Sequence, residues 1–320
     1  MISDQDVARY RREGFIVVPD VLSARDIAEL QSVTEEFVEA SRKTTQHTDV
    51  FDLEPGHTAQ TPRLRRIKTP NQHHPTYARM VRHPKIVAVL QRLWGPNIRF
   101  DISKLNLKAA GFGSPVEWHQ DWAFYPHTND DLAAVGIMID DFTPDNGSML
   151  VIPGSHTGPI YDHHAKGHFV GGIDPSTSGI DFSKAAMCTG KAGSITVHHV
   201  RLVHGSSANV SGKPRRFLLH QYRTADAWPL IHPPTAWEPW TSLLVAGEDT
   251  LAPRMTAVPV RLPYPAAPNQ GSIYENQRDL GTRFFKDADA STLGPLGGVA
   301  NDDAPGACLM ARAGAGRPTG

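Results

Sequence analysis

Between residues 99 and 222 the chain is broken into short runs of β-forming residues set off by turn residues, and nothing else in the sequence limits its fold so strongly. The runs cover 100–107, 133–139, 148–152, 194–200 and 216–222. Strands of this length and spacing bury their apolar faces only by packing as a sandwich or closing as a barrel, with any helices outside. Asn146-Gly147, standing between two of the runs, predicts a hairpin turn. No fixed-period repeat is present, which excludes a solenoid.

Helices precede this region. Ser3 and Asp6 have capping-box spacing ahead of Val7 and Tyr10, and Gly14 ends the pattern. Residues 15–18 read as a strand. Ser23 caps a second helix from 24 to about 42, where Ile27, Leu30, Val33, Phe37 and Ala40 recur at helical spacing. Residues 44–75 are polar and carry Pro55, Pro62 and Pro70, which predicts loop and edge strand, and a third helix fits 84–93. After residue 287 the chain is rich in Gly, Ala, Pro and Asp, the composition of a disordered tail. One catalytic domain over 1–287 and a tail over 288–320 are therefore expected.

The chain has 320 residues and 40% hydrophobic content, enough for one sizeable core. Its 32 Lys and Arg against 33 Asp and Glu leave no global field to recruit nucleic acid or an anionic membrane, so a small molecule is the expected partner. Cys188 and Cys308 make no disulfide framework, no apolar run reaches bilayer length, and the chain starts without a signal-peptide core; these point to the cytoplasm. Oligomeric state is not encoded in any feature of the sequence.

His119-Gln120-Asp121 is a weak motif by itself, because 16 histidines make chance His-x-Asp triplets ordinary. Residues two apart on an extended segment do share a face, so an imidazole and a carboxylate can reach one ion. His204, followed by Gly205 and Ser206 at the end of an apolar strand, supplies a third donor. His198 and His199 compete for that role; the Gly-Ser sequel favours His204, and the earlier pair reads as packed or exposed strand histidines. Two histidines and one carboxylate with open positions suit iron(II). Arg215 follows eleven residues after His204, beyond the turn at 211–214, where a hairpin would return its planar fork to the metal to clamp a dicarboxylate.

His119-Gln-Asp121, Asn146-Gly147, Pro153-Gly-Ser-His156, and His204-Gly-Ser206 with Asn209 and Arg215 resemble the phytanoyl-CoA dioxygenase family over roughly residues 5–225. The resemblance implies a mainly β double-stranded β-helix, a cupin-like jelly roll with flanking helices. It implies iron(II) on His119, Asp121 and His204, with 2-oxoglutarate held by Arg215, Ser206 and Lys68, Gln120 on the cosubstrate side, and ascorbate as a stimulant. O₂-dependent hydroxylation of a small organic substrate, such as a carboxylate or acyl derivative, would release succinate and CO₂. Retention of Asp121 favours hydroxylation over halogenation, since related halogenases carry a small residue there. The family's cosubstrate-contacting tryptophan, eighteen residues after the first histidine, is Ile137 here, which predicts a differently lined pocket.

Trp118, Trp122 and Phe124 crowd the motif and are candidate substrate contacts, with core packing the alternative. Arg63, Arg65, Arg66 and Lys68 read as a solvated face or as a cap for an anionic substrate. Asn106 and Lys108 either reach the pocket or mark a sheet edge. His163, His164 and His168 read as solvated loop residues, and Arg216 as an ion-pair partner pointing away from Arg215. The segments 159–188 and after 226 are expected to close the pocket, with 228–240 as a lid. Competing functions are desaturation, epimerisation or cyclisation at the same centre, or a metal-binding module without turnover.

Overall fold

The computed structural model describes residues 2–267 and 272–285. The proposed tail and Cys308 lie outside them. The amino-terminal helices form where their caps predict. α1 (Asp4–Glu13) starts on the reciprocal Ser3/Asp6 box and ends on Gly14, which takes the left-handed conformation at φ 81°. β1 (Phe15–Val18) follows, and α2 (Ala24–Ser41) starts on a second box, Ser23/Asp26. The stretch over 44–75 is more ordered than its polarity suggests. It contains β2 (Phe51–Leu53), β3 (Leu64–Lys68) and α3 (Pro70–His73), and α4 (Pro75–Val81) follows at once. Pro70 and Pro75 occupy first-turn positions, where the missing N–H breaks nothing, so these prolines begin helices. α5 (Pro84–Trp94) begins the same way.

The remaining strands are β4 (Ile98–Lys108), β5 (Val116–His119), β6 (Leu132–Met138), β7 (Met149–Val151), β8 (His164–Ala165), β9 (His168–Phe169), β10 (Ala186–Cys188), β11 (Ile195–His199), β12 (His204–Ser206) and β13 (Arg215–Thr224). α6 (Trp237–Ser242), β14 (Leu244–Ala246) and α7 (Ile273–Asn276) complete the described chain. An eight-stranded antiparallel sheet runs β1-β11-β6-β13-β4-β3-β2, with β14 beside β4, and a four-stranded sheet runs β10-β7-β12-β5. This is a double-stranded β-helix with helices on its outer face. Leu30, Tyr77, Ile86 and Leu90 from the helices cover Leu105, Ile137, Val197 and Leu218 of the large sheet. Phe15, Met138, Val151, Leu202 and Phe217 fill the space between the sheets. No helix among the described residues is long and apolar enough to cross a membrane.

Two predicted hairpins are crossings between sheets. Asn146-Gly147 connects β6 in the large sheet to β7 in the small one. Its turn is closed locally, with Asn146 donating to Asp141 O at 2.7 Å and accepting from Thr143 N at 3.0 Å. Likewise, residues 211–214 carry the chain from β12 to β13 in the opposite sheet. A turn dipeptide specifies a local reversal, whereas sheet membership depends on long-range pairing. β3 is also internal, between β2 and β4, which buries Arg65 and Arg66 and overturns the solvated reading of both. The suggested lid at 228–240 is packed: Trp228 and Trp240 lie 4.7 Å apart, and the Arg99 and Arg223 guanidinium groups stack on Trp240 at 4.4 and 4.5 Å.

Ile137 faces the helices, so it does not reline the interior as expected. Its neighbour Gly136 faces inward, and a Cβ there would lie 2.0 Å from the Phe217 ring. Phe217 thus occupies the volume a side chain at 136 would take. Gly136→Ala is expected to destabilise the protein by about 1–3 kcal/mol through overpacking, read as a lower denaturant midpoint at unchanged m-value; an unchanged midpoint would contradict this packing.

Candidate active site

β5 and β12 are neighbours in the small sheet, with His119 directly opposite His204. The strand pairing sets the imidazoles with ring centroids 4.1 Å apart. Gln120 continues the extended backbone for one residue before a short helical turn begins at Asp121, and this returns the carboxylate to the face of His119. His119 Nε2 and Asp121 Oδ1 are 3.8 Å apart. One ligand-capable atom from each of His119, Asp121 and His204 lies within 4.8 Å of the others, and all three residues are buried.

The hydrogen bonds orient these side chains for a metal. His119 Nδ1 is 2.8 Å from Glu117 O, and His204 Nδ1 is 2.9 Å from Leu202 O. A carbonyl only accepts, so each Nδ1 carries the proton and each Nε2 presents a lone pair. Asp121 Oδ2 accepts from Gln221 Nε2 at 3.2 Å, which holds the carboxylate from the large sheet. Burial drives the His119 pKa well down, with His204 adding to the effect, and burial also lowers that of His204. Burial opposes ionisation of Asp121, but Lys104 and the histidines around it hold its carboxyl well below the usual range. Two neutral nitrogens and one anionic oxygen, all buried, are a donor set suited to a divalent transition metal with open positions.

A cavity opens on this triad. At one end stand Ser206 and Arg215. Arg215 is 3% exposed and donates to Gly147 O at 2.8 Å. Burial lowers its pKa to about 10, so the guanidinium stays charged at neutral pH, and among the described residues it has no carboxylate partner. It reaches the cavity from β13, facing His119 and His204 across the gap between sheets. A polar wall is made by Arg66, Lys104 and Asn106, and Lys104 Nζ lies 3.9 Å from Asp121 Oδ1. Val116, Met149, Phe217 and Leu219 form apolar wall, and Ile273 and Tyr274 of α7 close over it. Next to α7, Gln277 accepts from Glu117 N at 2.9 Å and donates to Gly171 O at 2.8 Å, tying this cover to the strand that carries His119.

Several expected contacts lie elsewhere. Lys68 is outside the cavity lining; Arg66, two residues earlier on the same face of β3, lines it. Gln120 faces away and clamps loops, donating to Pro159 O and Arg201 O and accepting from Tyr161 N. Trp118 packs with Phe182 and Phe285 at 5.2 and 5.4 Å, and Trp122 donates its indole N–H to Pro259 O. Neither lines the cavity. Phe124 approaches nearest, its ring 6.0 Å from that of His119, but it packs on Phe169 outside the lining. His163 is buried rather than solvated and accepts from Gln120 N at 2.9 Å. Arg216 does point away, to Asp140 and Glu35.

His198, expected as a packed or exposed strand histidine, lines the cavity with its ring 4.8 Å from that of His204. Burial, then His204, push its pKa down to about 3. Lys104 could have been found from Asn106, since residues two apart on a strand share a face. Ile273 and Tyr274 carry no such signal.

The family model described as Phytanoyl-CoA dioxygenase (PhyH) matches residues 10–217. The chain is 37% identical over 280 residues to a probable alpha-ketoglutarate-dependent hypophosphite dioxygenase of Stutzerimonas stutzeri, covering 86% of this chain and 97% of that protein. It is 30% identical over 250 residues to an L-proline trans-4-hydroxylase of Streptomyces griseoviridis, covering 70% and 87%. Among solved structures, EctD from S. alaskensis with 2-oxoglutarate and 5-hydroxyectoine superposes with a TM-score of 0.60 at 23% identity, covering 82% of this chain and 88% of that one.

Proposed function

The chain belongs to the phytanoyl-CoA dioxygenase family and is an iron(II)- and 2-oxoglutarate-dependent oxygenase, and from this premise we propose that His119, Asp121 and His204 hold the iron while the enzyme oxidises a compact anion. One observation carries the reading: a buried two-histidine, one-carboxylate set shares its cavity with a buried guanidinium that has no carboxylate partner among the described residues. An unpaired buried cation is costly unless a ligand supplies the counter-charge. The distal carboxylate of 2-oxoglutarate meets that need at Arg215 and Ser206.

When bound, iron and 2-oxoglutarate supply the O₂-dependent oxidation that releases succinate and CO₂. The chain's residues hold, orient and screen. Gln221 and the two backbone carbonyls fix the ligands' directions, and the apolar wall with α7 limits water. No protein group has to act as a general acid or base.

The polar wall favours an anionic substrate. With Asp121 engaged by the metal, Lys104 would lose its nearest carboxylate, and with Arg66 it would put positive charge on the cavity wall beside the triad. Hypophosphite is the first candidate, a compact anion with a P–H bond, because the relative named for it matches this chain over nearly its whole length. The cytoplasm, where 2-oxoglutarate is available, is the proposed site of action.

Anaerobic addition of iron(II) and 2-oxoglutarate is expected to give the weak visible charge-transfer band of the chelate; its absence in folded protein would overturn the cosubstrate assignment. Succinate release with hypophosphite, compared with small carboxylates, then ranks substrates. Lys104→Met should raise KM for the anion by about tenfold, with the charge-transfer titration by 2-oxoglutarate unchanged. An unaltered KM would remove Lys104 from substrate binding.

A further inference from the structure

His198 stands well along the cavity from Arg215. In the large sheet it pairs with Ala134 of β6, and Ala134 pairs with Gln221 of β13, six residues and so roughly 20 Å along that strand from Arg215. His198 is 1% exposed, lines the cavity, and has the apolar Phe15 and Ala134 as its ladder neighbours on β1 and β6. Its Nδ1 is buried with no hydrogen-bond partner among the described residues, whereas the Nδ1 atoms of His119 and His204 each face a backbone carbonyl. A buried N–H without an acceptor is rarer than a lone pair without a donor, so the His198 proton belongs on Nε2, the opposite tautomer to that of the two triad histidines. Lys104 approaches from another side. Its strand, β4, lies three strand spacings from β11, roughly 14 Å, and its ammonium ends 3.9 Å from Asp121 Oδ1. Two donors from well-separated strands thus flank the triad at its Asp121 end.

We propose that His198 is a specificity-determining residue: its Nε2–H donates to one oxygen of a compact oxyanion whose other oxygen is held by Lys104, which selects substrates carrying two acceptor oxygens on one centre. With both oxygens held by the large sheet, the remaining bonds of their central atom turn toward the triad. His119 and His204 cannot make this contact, because their protons are committed to Glu117 O and Leu202 O. A hydrogen bond to a charged oxygen is stronger than one between neutral groups, and the anion serves a donor that the protein itself leaves unused.

This inference rests on the compact-anion reading of the cavity. The test is a titration of the anaerobic protein, loaded with iron(II) and 2-oxoglutarate, by hypophosphite, followed as a shift of the charge-transfer band. His198→Leu is expected to raise the half-saturating hypophosphite concentration about tenfold to a hundredfold, while iron(II) and 2-oxoglutarate titrate as in the wild type. Because Nδ1 makes no bond, the ligand-free variant should melt no lower than the wild type. His198→Phe keeps a flat ring without a donor and should behave in the same way; it is the second variant should the first fail to fold. His198→Gln restores an N–H and should recover part of the affinity. An unchanged hypophosphite midpoint in a folded variant, equal weakening of 2-oxoglutarate, or a His198→Gln midpoint no lower than that of His198→Leu would each overturn the role. If hypophosphite leaves the wild-type band unmoved while 2-oxoglutarate still produces it, the compact-anion reading fails, and the assignment of His198 falls with it.

Discussion

Asp121→Ala should cut succinate formation about a thousandfold or more, with the folded protein retained. Asp121 is the only anionic member of the proposed ligand set, so its removal takes away both a donor and the charge that neutralises half of a divalent ion. The same change strands two neighbours. Lys104 loses the carboxylate 3.9 Å away, and Gln221 loses its acceptor at 3.2 Å. The half-buried charge of Lys104 then faces the metal position without that carboxylate, which weakens cation binding further. Iron titration and succinate assay of the same preparation check both effects, and circular dichroism reports the fold. Ordinary turnover in this variant would mean that another carboxylate holds the metal.

Arg215→Leu separates the cosubstrate from the metal. The guanidinium lies 5.1 and 5.6 Å from the rings of Phe142 and Phe217, so leucine enters apolar surroundings. The half-saturating 2-oxoglutarate concentration should rise on the order of a hundredfold, while the iron requirement stays near that of the wild type. Loss of an unpaired buried cation also relieves Lys108, so the ligand-free variant should melt no lower than the wild type. Stabilisation by added 2-oxoglutarate should disappear. Parallel thermal scans with and without cosubstrate read both quantities. A lower melting point with unaltered cosubstrate dependence would make Arg215 a structural residue only.

Much of this architecture could be read from local chemistry. Ser3 and Ser23 open helices because a hydroxyl and an acid three residues on satisfy free N–H groups, and that pattern needs no tertiary partner. The triad proposed to hold the metal was legible for a similar reason, since the His-x-Asp spacing and the Gly-Ser after His204 are short-range. What escaped depends on which sheet a strand joins. Asn146-Gly147 and residues 211–214 turn the chain as their composition predicts, but the partner across each turn is chosen by burial over long separations. The same gap moved the basic contact from Lys68 to Arg66 and sent Trp118 and Trp122 into packing. α7 lies far along the chain from the metal residues, and four residues of irregular sequence give no periodicity to read.

The cavity rests on two kinds of support. His119, His204 and Arg215 stand on paired strands whose ladders cross both sheets. Ile273 and Tyr274 stand on a four-residue helix that enters neither sheet and is held by side chains, among them Gln277 and Arg65. Substitutions in that roof can therefore reshape the room left for substrate while the ladders keep the residues beneath in place.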